Sequence, residues 1–148
     1  MKEQIKKTTI KELANHFDEE LQTSLPITKL PDGSYSYKEF IVKKMPNQNW
    51  ALYDIFLRKV LDEYFLISCA LIAAHEYSTH RFNRYRDIKH IDTRYQAAYT
   101  DLMIFRHNID LVTDPDQKEI FLTRLNESRM LSLCYKKTIS RLFRNAFV

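Results

Sequence analysis

Glycine is nearly missing: Gly33 is the only one among 148 residues. Glycine supplies positive φ and close backbone approach. Phosphate-cradling loops and the dinucleotide-binding fingerprint each need several, so both function classes are excluded. The shortage also argues against a large sheet with many tight turns. Cysteine is scarce as well, with two residues, Cys69 and Cys134. Both fall in apolar helical stretches with no partner nearby in sequence, which reads as two buried free thiols rather than a disulfide or redox pair. Long apolar runs are lacking too. The longest, 64–74, contains Ser68 and falls well short of the roughly 20 residues that cross a bilayer. The polar start Met1-Lys2-Glu3-Gln4 carries no signal-peptide pattern, and neither a repeat nor a low-complexity segment is visible. The reading is an intracellular chain without a membrane association, placed in the cytoplasm.

What is present suits one globular domain spanning 1–148. The composition is 45% hydrophobic and 28% charged, which argues against disorder beyond the first few residues. A chain of this length buries roughly 70% of its unfolded surface and needs no staple. The net charge of +4 permits an acidic partner without demanding one.

Along the chain, Thr9 and Glu12 form a capping box. Ile10, Leu13, Ala14, Phe17 and Leu21 follow at helical spacing, so an N-terminal helix is expected to about residue 22 within a segment 1–26. A β-meander is expected over 27–54. Runs at 27–30 and 34–44 flank Pro31-Asp32-Gly33, where proline presets φ and glycine takes the left-handed turn position. A second turn signal, Met45-Pro46-Asn47-Gln48-Asn49, precedes a third strand near 50–53. Residues 54–65 fit a helix, yet 60–65 fit a fourth strand equally well. From 66 to 77 a helix apolar nearly all round should form the buried centre, with Ala70, Ala73 and Ala74 allowing close packing. A long helix then runs from about 83 to 111, with Ile88, Ile91, Tyr95, Ala98, Leu102 and Ile109 on one stripe. Pro115 opens the last helix, whose main face carries Phe121, Leu125, Ser128, Tyr135, Ile139, Leu142 and Ala146. With no linker between them, these two helices should be antiparallel neighbours. The expected fold class is therefore α+β, mostly α: a small antiparallel β-meander packed on a helical bundle (55–148) that ends in a long antiparallel helix pair.

Length turns this into a statement about association. A helix of roughly 30 residues is about 45 Å long, whereas a compact sphere of this chain has a diameter nearer 38 Å by the usual scaling, roughly. The pair must project or lie against another subunit. Leu122, Met130, Leu133 and Cys134 sit opposite the main apolar face of the last helix and form a candidate oligomer interface, to be covered by N-terminal elements or by a second copy.

No motif specifies catalysis, and no catalytic residue, metal site or cofactor is assigned. His75-Glu76-Tyr77-Ser78-Thr79-His80 has its histidines five apart, about 140° around a helix, where zinc-protease helices need four. Asp87 and His90 have the offset of di-iron bundles but lack the second motif and the inward glutamates. Neither cysteine has a suggestive histidine, and no serine sits in a strained turn. Arg106 falls in line with an apolar stripe and reads as a snorkelling side chain. The stretch 81–95 is a candidate anion or nucleic-acid contact: Arg81, Arg84, Arg86, Lys89 and Arg94, with His90, alternate with Phe82, Tyr85 and Tyr95, a mixture that suits phosphates and stacked bases. Asp87 and Asp92 interrupt it.

Pro31-Asp32-Gly33-Ser34-Tyr35, Trp50-Ala51-Leu52-Tyr53-Asp54 and Ser68-Cys69-Ala70-Leu71-Ile72-Ala73-Ala74 resemble stretches of uncharacterised small proteins of marine T4-like phages. The resemblance covers about the middle third of the chain and fits a composition poor in Gly and Pro and rich in Lys, Ile, Tyr and Phe, as AT-rich genomes encode. It implies the cytoplasm of a host cell and no particular activity. The leading expectation is a non-enzymatic helical interaction module acting as a homo-oligomer, most simply a homodimer, with a macromolecular partner. The alternative is a nucleic-acid-binding protein using 81–95.

Overall fold

The computed structural model describes residues 27–147, so the helix expected near 9–22 lies outside the described residues. Five strands form one antiparallel meander in sequence order: β1 (Ile27–Lys29), β2 (Tyr35–Tyr37), β3 (Phe40–Lys44), β4 (Trp50–Asp54) and β5 (Lys59–Tyr64). Three helices follow: α1 (Ile67–Ser78), α2 (Phe82–Asn108) and α3 (Pro115–Phe147), with a 3-10 turn at Ile109–Leu111 between the last two. The fold is α+β, mostly α.

The sheet is larger than the three-stranded meander expected from sequence, and the turns explain why. The run 34–44 is not one strand but two, folded at Lys38-Glu39 so that Tyr37 pairs with Phe40. Lys38 takes a φ of 49° there, and Gln48 and Arg58 do likewise at 74° and 53°. The chain thus accepts left-handed backbone at ordinary residues, a cost that glycine would avoid. Gly33 itself, with φ 87°, makes the expected β1–β2 turn, closed by the Leu30 amide on the Ser34 carbonyl at 2.8 Å. The ambiguous stretch 54–65 resolves into turn and strand rather than bundle helix. The buried Asp54 accepts from the Phe56 and Leu57 amides at 2.9 and 3.1 Å, a side-chain turn that competes with helix nucleation. β5 then pairs with β4, with a register shift at Leu52/Tyr53.

One face of the sheet presents Tyr35, Tyr37, Phe40, Val42, Leu52 and Tyr64, all buried. Against them lies α1, whose residues from Ile67 to Ala74 are all buried. The helix is the middle layer, touching β3, β4 and β5 on one side and α2 and α3 on the other. The antiparallel helix pair is present as expected: Phe105 meets Phe121 edge-on at 5.5 Å near the connection, while Ile88 and Ile91 face Leu142 at the other end. From residue 103 to 127 no side chain is buried, so the connected end of the pair stands beyond the three-layer body.

Candidate functional site

The end of α1 sets the geometry of the main site. The Arg81 amide donates to the Glu76 carbonyl at 2.9 Å and the His80 amide to the Tyr77 carbonyl at 3.1 Å. This is the Schellman pattern, and its left-handed position, normally glycine, is filled by His80 at φ 59°. The turn reverses the chain at once into α2 and brings Arg81 and Arg84 back over the last turn of α1. There a cavity of about 470 Å³ opens between the end of α1, the start of α2 and the end of α3. His75, Glu76, Arg81, Arg84 and Asp87 supply its polar lining, with Thr138 and Asn145 from α3; Ile72, Ile88, Ile91 and Leu142 supply the apolar part.

Glu76 is 8% exposed, and its Oε2 has no hydrogen-bond donor. The nearest cation is the Arg81 Nε at 3.8 Å, an ion-pair distance too long for a hydrogen bond. His75 Nδ1 is 3.0 Å from the Tyr37 hydroxyl, and Phe147 closes over both rings at 5.5 and 5.6 Å. Burial pushes the His75 pKa below its usual 6.5, with Glu76 opposing and Arg81 and Lys38 adding to the shift, so the ring is neutral at pH 7. The five-residue offset between His75 and His80 has its structural counterpart: the helix ends between them, one ring lining the cavity and the other exposed. Among the described residues, nowhere do three His, Cys, Asp or Glu side chains gather to hold a metal.

The stretch 81–95 is divided by its own helix. Arg84 and Arg86 lie about 160° apart around α2, at 100° per residue. Arg81 and Arg84 line the cavity, Arg86 bonds Asn83 at 2.7 Å, and Arg94 is exposed. Lys89 is engaged with the sheet: its ammonium reaches the Glu63 carbonyl, lies 3.3 Å from Asp62 and sits over the Tyr64 ring. Tyr95 is a core residue beside Phe65 and Tyr99. Asp92, which looked like a break in a basic run, is buried and accepts from the Phe65 and Leu66 amides at 2.8 and 3.0 Å. It thereby anchors the junction between β5 and α1, where the N-cap residue Leu66 offers no side-chain acceptor.

No described element covers the outer face of α3. Leu122, Met130 and Leu133 are 43%, 62% and 46% exposed. Cys134 joins them, which corrects the expectation of two buried thiols: Cys69 is buried and Cys134 exposed, both free. Cys134 sits about 120° around the helix from Ser128 in the buried stripe, at 100° per residue. Glu76 and Asp87, met in the sequence within failed metal motifs, join the cavity lining. The available signal was a carboxylate next to the end of a helix apolar on every side. Arg106 is half-buried near Tyr99. No helix among the described residues is long and apolar enough to cross a membrane. Compared with known proteins, the chain matches no family model, no curated protein and no solved structure.

Proposed function

We propose that this chain is a helical interaction module that works as an antiparallel homodimer through the outer face of α3. The observation that carries the reading is the stripe of exposed residues Glu119, Leu122, Asn126, Met130, Leu133 and Lys137, which recur three or four apart and so share one face. This stripe complements itself. Acidic side chains in α3 end at Glu127; after it the helix carries only the cations Arg129, Lys136, Lys137, Arg141 and Arg144. A parallel pair would set cations on cations. An antiparallel pair about a two-fold axis midway between Met130 and Leu133 sets Met130 on Leu133, Asn126 on Lys137 and Glu119 on Arg144, each contact made twice, as an isologous interface requires. A single helix face about 50 Å long and 10 Å wide is at the small end of stable interfaces, so dissociation in the micromolar range is expected.

Disulfide trapping tests the register. In a Cys134→Ser background, Met130→Cys and Leu133→Cys chains, mixed and mildly oxidised, should cross-link faster than either variant alone. Cross-linking no faster than a Thr93→Cys control, on exposed α2 surface, would reject the interface. The nucleic-acid reading draws less support, because its cations do not share a face and Tyr95 is in the core. Anisotropy with single- and double-stranded oligonucleotides at low salt checks it, with no saturable binding as the expected result.

A further inference from the structure

The cavity between α1, α2 and α3 supports a second inference, independent of self-association. Four of its charges cancel: Glu76 and Asp87 against Arg81 and Arg84. Its apolar part is aliphatic. Within it the Glu76 Oε2 is buried without a donor, and the guanidinium above it stands at 3.8 Å, unable to complete a hydrogen bond. A buried carboxylate left in this condition is costly unless a donor reaches it.

We propose that the cavity binds a small zwitterion carrying an ammonium, a carboxylate and an aliphatic side chain, of the size of an amino acid or a dipeptide. The ammonium donates to Glu76, the carboxylate lies on Arg81 and Arg84, and the side chain rests against Ile88, Ile91 and Leu142. Insertion requires that the Arg81 side chain, itself 46% exposed, swing off Glu76. The loose ion pair is then replaced by two hydrogen-bonded ones. Charge balance selects the ligand. A lone carboxylate would meet the arginines and leave Glu76 unanswered; a lone amine would do the reverse. A polyphosphate or nucleic-acid backbone would be repelled by Glu76 and Asp87. The volume of about 470 Å³ lies in the range of small-molecule sites.

Titration of the full chain with leucine and leucylleucine, followed by calorimetry or amide NMR, tests this. The single-charge analogues 4-methylpentanoate and 3-methylbutylamine serve as comparison ligands. A zwitterion should bind about ten- to a hundredfold more tightly than either analogue, the usual worth of a hydrogen bond to a charged group. Glu76→Gln should weaken the zwitterion by a similar factor while leaving 4-methylpentanoate unchanged or tighter. Arg84→Ala, on the exposed rim, should weaken the zwitterion and 4-methylpentanoate alike, with far-UV circular dichroism checking that both variants fold. No saturable shift with either zwitterion up to roughly 10 mM, where a millimolar ligand would approach saturation, would overturn the proposal. So would an analogue that binds as tightly as the zwitterions, or zwitterion binding indifferent to Glu76→Gln.

Discussion

At the scale of single residues, Asp92 ties two helices together by one carboxylate. The amides it holds, of Phe65 and Leu66, belong to the two residues just ahead of α1, so the carboxylate fixes the strand-to-helix junction from another helix and satisfies two buried donors. Asp92→Ala is expected to cost about 2–4 kcal/mol, two charge-assisted hydrogen bonds lost with their donors left unsatisfied, read by urea unfolding. Burial, opposed by those amides, raises the Asp92 pKa above the ordinary 3.8. The folded protein therefore holds this proton more tightly than the unfolded chain. The contribution of Asp92 to stability declines as pH rises from about 3.8 through the folded value, and Asp92→Asn should remove that part of the pH profile. His75 runs the other way in pH. Its pKa is lowered, so stability is retained above 6.5 and lost as pH falls below it; His75→Gln should flatten that loss. None of this was readable from Asp92 in its own neighbourhood, where it sits among cations at helical spacing. Its partners are 26 and 27 residues away, and only the packing of α2 on β5 and α1 brings them together.

At the scale of elements, periodicity was a sound guide wherever a helix buries one face or all of them. The bounds expected for α1 and α2 fall within a residue of those observed at their starts, because the switch to apolar residues every third and fourth position is abrupt there. Turns were less legible. Lys38, Gln48, Arg58 and His80 occupy left-handed positions that glycine would normally mark, so a glycine-poor sequence hid the fold-back between β2 and β3 and left β5 ambiguous with a helix. The stop after α1 was legible from the end of the apolar run. Replacing a strained side chain with glycine should relieve it. His80→Gly and Lys38→Gly are each expected to stabilise by about 0.5–1 kcal/mol, the left-handed penalty less the entropy glycine adds to the unfolded chain. Thermal melts read the effect as a rise of a few degrees. The alanines of α1 are constrained in the opposite sense. Ala70 and Ala73 are fully buried between the sheet and the helix pair, so Ala73→Leu should cost about 1–3 kcal/mol or more through overpacking, a loss seen in the same melts.

At the scale of the whole molecule, α2 and α3 of 27 and 33 residues are about 40 and 50 Å long, and their connected ends extend past the body that the sheet and α1 can cover. An exposed stripe on the longer helix, with Glu119 toward one end and Lys137 toward the other, is the arrangement that two copies can satisfy mutually. The cavity between the start of α2 and the end of α3 is lined from α3 by Thr138, Leu142, Asn145 and Ala146, none of them in the exposed stripe, so the two surfaces can be tested separately. The most direct measurement of association is the mass of the full chain by light scattering across a dilution series through the micromolar range, beside a Met130→Glu, Leu133→Glu variant. Both substitutions fall on exposed positions and should leave the fold intact by circular dichroism. Self-association through α3 predicts a mass of two chains for the wild type, falling to one on dilution, with the variant monomeric throughout. A wild type that is monomeric at every concentration, or a variant that dimerises as well as the wild type, would contradict it.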